Sequence, residues 1–190
     1  KPSACCQPRP TRSRLAHDQL QGTFVSALND GLIPLLPRLR RFAWSLTRDW
    51  PDADDLVQDS CTRAIDRAAQ WDVATRLDAW MFRLMRNVWI DETRKRKVRV
   101  GQGIEDAADS SELHTHGDSE TQTYANQVLA QIAALPDGFG TVLLLVAVEG
   151  HSYAETAEIM DIPIGTVMSR LSSARQKLRN ALADQKEANR

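Results

Sequence analysis

The sequence predicts an all-α protein: two small helical domains joined by a flexible acidic linker, the second domain carrying a helix-turn-helix. Three observations predict this. Residues 32–98 and 123–183 are rich in Ala and long-chain side chains, with apolar positions at helical spacing. Between them, residues 100–122 are Gly, Ser, Asp, Glu and His with few large apolar side chains, which is linker composition. Residues 152–179 read as a short helix, a tight break and a longer basic-ended helix. A length of 190 residues with 42% apolar and 26% charged side chains suits one ordinary domain or two small ones, and argues against a disordered or collagen-like chain.

Residues 1–20 contain Pro2, Pro8 and Pro10 without periodicity and are expected to form a disordered tail. No apolar core resembling a secretory signal follows, so a cytoplasmic location is expected. The first domain is placed at 21–99, with Pro34, Pro37 and Pro51 as its few breakers. On a wheel of 100° per residue, Leu77, Met81, Leu84 and Val88 share a core stripe. Arg83, Asn87, Arg94 and Lys97 gather on the opposite side, with Arg86 beside them. Arg and Lys suit phosphates and Asn suits a base edge, so this face fits nucleic acid. Trp71, Trp80 and Trp89 are interleaved with it, and aromatic rings stack on unpaired bases as well as on a core.

The second domain is placed at 123–183, with 184–190 as a tail. Its apolar run Val142–Val148 fits a buried strand or a buried helix by periodicity, and helical neighbours on both sides favour the helix. At seven residues it is far short of the ~20 that span a membrane. Ser152 and Glu155 have capping-box spacing, and Asp161–Pro163 ends the helix they start. Val167, Leu171, Ala174 and Leu178 then share one face of a second helix, opposite Ser169, Ser172 and Gln176, with Arg170, Arg175, Lys177 and Arg179 around the rim. Short hydrogen-bonding groups at the centre and cations at the edge suit a major groove.

Net charge is −1, yet its sign alternates along the chain. Residues 1–48 and 83–99 are basic, 49–82 acidic, 100–165 acidic, and 166–190 basic again. Two separated basic blocks imply two anionic contacts. Three cysteines, two adjacent in the tail and Cys61 in a helical stretch, are read as reduced thiols. His114-x-His116, with His17 and His151, lacks any H-E-x-x-H or C-x-x-C spacing, so neither a metal nor another cofactor is assigned. No nucleophile and base arrangement supports an enzyme.

These residues resemble the bacterial extracytoplasmic function (ECF) sigma factors of the sigma-70 family. The resemblance rests on Asp54-Asp-Leu-Val-Gln-Asp59, on Asp78-Ala-Trp-Met-Phe-Arg through Arg94, and on Leu135-Pro136. It extends through Tyr153–Ala157 and Gly165–Leu171 to Ala174-Arg175, so that it covers about residues 32–183. It implies core RNA polymerase binding by Asp54, Asp55, Leu56, Gln58 and Asp59. It implies minus-10 contacts by Trp71, Asp72, Arg76, Trp80, Arg83, Arg86, Asn87 and Arg94, with a flipped base held by the loop from Trp71 to Leu77. Minus-35 contacts fall on Thr166, Met168, Ser169, Arg170, Ser172, Ser173, Arg175, Gln176 and Lys177. Met168 and Ser173 depart from the basic or bulky side chains that many relatives carry there. Promoter DNA, core polymerase and an anti-sigma factor are the implied partners, without membrane insertion.

A linker of about 22 residues reaches at most ~73 Å extended, against a relaxed coil size of ~26 Å. Promoter elements about 17 base pairs apart lie ~58 Å apart. The linker spans them only when held extended. The competing reading is a helix-turn-helix regulator that binds duplex DNA without core polymerase, although no ligand or phosphoacceptor module is recognisable in the first domain.

Overall fold

The computed structural model describes residues 12–72, 74–101 and 128–188, with side chains at 28, 30–72, 74–99 and 128–183. Helix α1 runs over Arg12–Thr47, so part of the expected tail 1–20 is helical. No proline between Thr11 and Ile33 interrupts it. Pro34 and Pro37 lie inside α1, and each removes a backbone donor. Both are exposed, while Leu32, Leu39 and Phe42 hold the same helix by burial on its other side. Helix α2 spans Trp50–Asp66; the Asp49 side chain accepts from the Asp52 N–H at 2.9 Å and Pro51 sits in the first turn, where its missing donor costs nothing. Ala53, Leu56, Ser60 and Ala64 form its buried face.

A short 3₁₀ turn, Ala68–Gln70, leads toward α3, Leu77–Gly101. Of the expected stripe, Met81, Leu84 and Val88 are buried and Leu77 is half-buried. Phe82 and Met85 are buried as well, which widens the apolar face beyond the sequence reading. Phe82 meets Phe42 of α1 at 4.6 Å between ring centroids and meets His151 of the second domain edge-on at 5.6 Å. Helices α1 and α2 and the second domain all pack on α3.

In the second domain, residues 128–133 are helical. Helix α4, Phe139–Leu143, continues as a π turn over Leu144–Val148, so the apolar run is helical. The Glu149 N–H reaches back to the Leu144 carbonyl at 3.0 Å, and that of His151 to Leu145 at 2.9 Å. These wide turns bring Glu149 and His151 round to the first domain. Helices α5, Tyr153–Met160, and α6, Ile164–Ala188, make the helix-turn-helix. Its turn starts at Asp161, which takes a left-handed φ of 46°; a short polar side chain tolerates this better than most. Gly138, at φ 77°, precedes α4, and a Cβ there would meet the Arg170 guanidinium at 2.7 Å.

The two domains are in direct contact. They pack on one another, with α5 against α3 and α4 against α1. The physical reason lies in the charge blocks: the acids of residues 123–165 meet the arginines of α1 and α3. The linker assigned to 100–122 falls largely outside the described residues, as do the adjacent Cys5 and Cys6 and the pair His114 and His116.

Both capping-box bonds are present, Ser152 N–H to Glu155 Oε2 at 2.8 Å and Glu155 N–H to Ser152 Oγ at 3.1 Å. Ser152→Ala is therefore expected to destabilise the second domain by about 1 kcal/mol, measured as a lower midpoint in urea unfolding.

Candidate nucleic-acid and polymerase interfaces

Helix α2 presents Asp54, Asp55, Gln58 and Asp59 to solvent, because Ala53, Leu56 and Ser60 turn into the core between them. Leu56 is thus a core side chain, placed away from the surface on which the sequence grouped it. Asp54 accepts two hydrogen bonds from Arg40, at 2.7 and 2.9 Å, and Arg40 lies over the Trp50 ring at 4.8 Å. Asp59 approaches Arg63, one turn on, at 3.9 Å. Asp55 and Gln58 complete an exposed acidic stripe.

The loop before α3 is ordered by Asp72, whose side chain accepts from the Ala74 N–H at 2.9 Å and whose carbonyl accepts from Thr75 Oγ1 at 2.7 Å. Trp71 is buried and Trp80 half-buried, their rings 6.5 Å apart. The Trp71 indole N–H is buried without a hydrogen-bond partner. Val73, within the same loop, lies outside the described residues. On α3 itself, Arg83, Asn87 and Arg94 are exposed and Arg86 is half-buried. Burial lowers the Arg86 guanidinium from its ordinary range, with Asp161 opposing the effect.

Three of these cations already face acids of the second domain. Arg76 meets Glu155 at 3.2 Å, Arg83 meets Glu158 at 3.2 Å, and Arg86 approaches Asp161 at 3.8 Å. Arg83, Arg86, Asn87, Glu158 and Asp161 line one cleft of about 450 Å³. Beneath them lies a network that sequence reasoning missed. Arg38 of α1 donates to both Glu149 and Asp78, the latter at 2.9 Å, and Arg41 donates to the other Glu149 oxygen at 2.9 Å. The Glu149 side chain is 2% exposed and that of Asp78 is 8% exposed. Arg48 adds a bond to the Leu135 carbonyl at 2.6 Å and a contact to Asp137 at 3.1 Å.

Burial by itself raises the Asp78 carboxyl, but bonds from Arg76, the Ala79 N–H and Arg38 outweigh it and hold the group at about 2. His151 is buried between Phe82 and Asp78, 3.9 Å from the Asp78 carboxylate, with both ring nitrogens lacking hydrogen-bond partners. Burial pushes its imidazole below the ordinary range, with Asp78 acting in the opposite direction. The neutral form is the one this site favours. Burial also raises the Cys61 thiol, which carries no disulfide.

Helix α6 buries Val167, Leu171 and Ala174. It exposes Met168, Ser169, Ser172, Arg175, Gln176 and Lys177; Thr166 and Ser173 are half-buried. The Ser169 hydroxyl donates to the Thr166 carbonyl at 3.1 Å. Arg170 lies against Gly138 instead of on the outer face. An open depression of about 390 Å³ includes Met168, Ser172, Arg175 and Gln176, and Tyr153 of α5 closes one end. Among the described residues, no group of three or more His, Cys, Asp or Glu converges as a metal site. No described helix is long and apolar enough to cross a membrane.

Residues 34–99 match the family described as Sigma-70 region 2, and residues 125–178 match Sigma-70, region 4. The ECF RNA polymerase sigma factor EcfG of Rhodopseudomonas palustris is 34% identical over 154 residues, covering 81% of this chain and 84% of the relative. The chain belongs to the ECF sigma factors of the sigma-70 family. SigW of Bacillus subtilis, another ECF sigma factor, is 29% identical over 70% of this chain and 76% of its own length. Among solved structures, RpoE of Bartonella quintana in complex with the anti-sigma factor NepR is 29% identical. It superposes at a TM-score of 0.66 over 82% of this chain and 96% of that one. As a sigma factor, the protein works with core RNA polymerase and promoter DNA in transcription initiation. Sigma factors are regulatory and non-enzymatic as a family, and ECF members act with polymerase in the cytoplasm.

The Asp78 carboxyl predicts a definite response to acid. Its depressed value means that its contribution to stability is full above about pH 4 and is lost as pH falls through about 2. Urea midpoints are expected to fall over that window by more in the wild type than in Asp78→Asn.

Proposed function

We propose that this sigma factor docks on core polymerase through the acidic stripe of α2, holds the melted minus-10 strand on α3, and reads the minus-35 element with α6. It does no chemistry of its own. The observation that carries this is the division of α3: Met81 and Val88 are fully or almost fully buried while Arg83, Asn87 and Arg94 stand exposed on another face. A helix so divided is fixed to the protein on one side and offers cations and an amide to a strand on the other. The exposed serines and Gln176 of α6, bordered by Arg175 and Lys177, supply the donors and acceptors of a groove-reading helix. Trp71 and Trp80, with the Asp72 turn, supply an aromatic site for an extruded base.

RpoE of Bartonella quintana forms a complex with the anti-sigma factor NepR, and we infer that an anti-sigma factor controls this protein as well. An apolar groove between the domains, lined by Trp44, Trp50, Ile132, Leu143, Leu144 and Val148, suits one face of an amphipathic helix.

Three variants test the assignment. Asp55→Lys with Asp59→Lys is expected to abolish co-elution with core polymerase while changing unfolding midpoints little, since exposed charges seldom alter stability by more than ~0.5 kcal/mol. Unchanged co-elution removes α2 from the docking surface. Asn87→Ala and Arg175→Ala are each expected to reduce open-complex formation on duplex promoter by roughly three- to tenfold. A premelted minus-10 bubble removes the cost of opening, so it should restore Asn87→Ala and leave Arg175→Ala impaired. Equal rescue of both, or no defect in either, contradicts the placement of the two DNA faces.

A further inference from the structure

We propose that the second domain masks the strand-holding face of the first: Glu155, Glu158 and Asp161 occupy the guanidinium groups that the phosphates of an unpaired strand would otherwise take. The proposal rests on the assignment of α3 to that strand. Arginine accepts carboxylate and phosphate through the same planar fork of donors. The three acids stand on, or immediately after, one short helix, and their partners Arg76, Arg83 and Arg86 follow one another along α3 and the loop before it. Glu158 and Asp161 enter the cleft that Arg83, Arg86 and Asn87 line, and Glu155 engages Arg76 outside it.

The interface has an inner and an outer part with different physics. The inner part is the buried Glu149 carboxylate held by Arg38 and Arg41, with Ser45 and Thr141 Oγ atoms 3.2 Å apart beside it. Breaking it leaves a charge stranded without solvent, so it sets the position of the second domain. The outer part is three ion pairs, two within the cleft and Arg76 with Glu155 outside it. Arg83 and Glu158 are 49% and 70% exposed, and pairs of that kind are individually weak and screened by salt. A polyanion displaces them more readily than it displaces the inner contacts.

The test neutralises the mask without altering shape. Glu155→Gln keeps the capping box, Glu158→Gln is isosteric, and Asp161→Asn retains a residue tolerant of left-handed φ. Fluorescence anisotropy with a 12-nucleotide unpaired A·T-rich DNA then compares the full-length triple variant with wild type. A second triple variant, Asp30→Asn, Asp66→Asn and Asp137→Asn, makes the same change in net charge at exposed positions away from α3 and the cleft. Removing the three outer pairs is expected to tighten binding about tenfold, against less than about threefold for the control. Equal affinities for the two triple variants, or no gain in either, overturn the mask. Adding Arg83→Ala to the unmasked protein should remove the gain. A gain that survives Arg83→Ala overturns instead the placement of the strand on α3, since the unmasked cations would then lie elsewhere.

Discussion

The arrangement of the two domains depends on how the buried carboxylates Glu149 and Asp78 are compensated. Neither is tolerable away from water unless cations and hydrogen bonds replace its hydration. Arg38 serves both, reaching from α1 to the start of α3 and to the end of the π turn. One guanidinium therefore fixes three segments in mutual register. Arg41 completes the shell of Glu149, and Arg76 completes that of Asp78. Phe82 and His151 fill the apolar space beside the network. Moving the second domain by a few ångströms would strand at least one of these charges.

That constraint explains why the polar surfaces of the family's two functional regions face one another here. The arginines of α3 and its preceding loop are an anion site, and the exposed acidic stripe of the same domain lies on α2. With the second domain fixed by Glu149, α5 brings its carboxylates to that site. The contacts divide into a dry anchor and a wet rim. The rim overlaps the residues assigned to DNA, and Arg76 among them also braces Asp78 of the anchor. Helix α6 still presents Ser169, Ser172, Arg175 and Gln176 outward, so the groove-reading face remains accessible while the strand-holding face is engaged.

Much of the local architecture was legible because it obeys short-range rules. The capping box at Ser152 and Glu155, the break at Asp161–Pro163, and the stripe of Met81, Leu84 and Val88 follow from spacing alone. The longer extent of α1 was not, since Pro10 and scattered arginines obscured a proline-free stretch that propagates as helix. Leu56 sat within an acidic motif, and only the turn of α2 shows it to be core. The domain contact was written in the alternating charge blocks, but a block of acids reads equally as a solvated face, a partner site or a match for distant arginines. Glu149 lies over a hundred residues from both Arg38 and Arg41, and no local pattern pairs them. His151 likewise becomes distinctive only when Phe82 covers it.

A double-mutant cycle across the domain boundary tests the anchor most directly. Unfolding free energies of wild type, Arg38→Ala, Glu149→Ala and the double variant give the coupling between the two side chains independently of any DNA or polymerase assay. A buried, hydrogen-bonded pair that holds the domains together predicts each single substitution to be costly and the double to be little worse than either, with a coupling of about 2 kcal/mol or more. Additive losses, with coupling near zero, would contradict the account, because the two domains would then be held in place by something other than this ion pair.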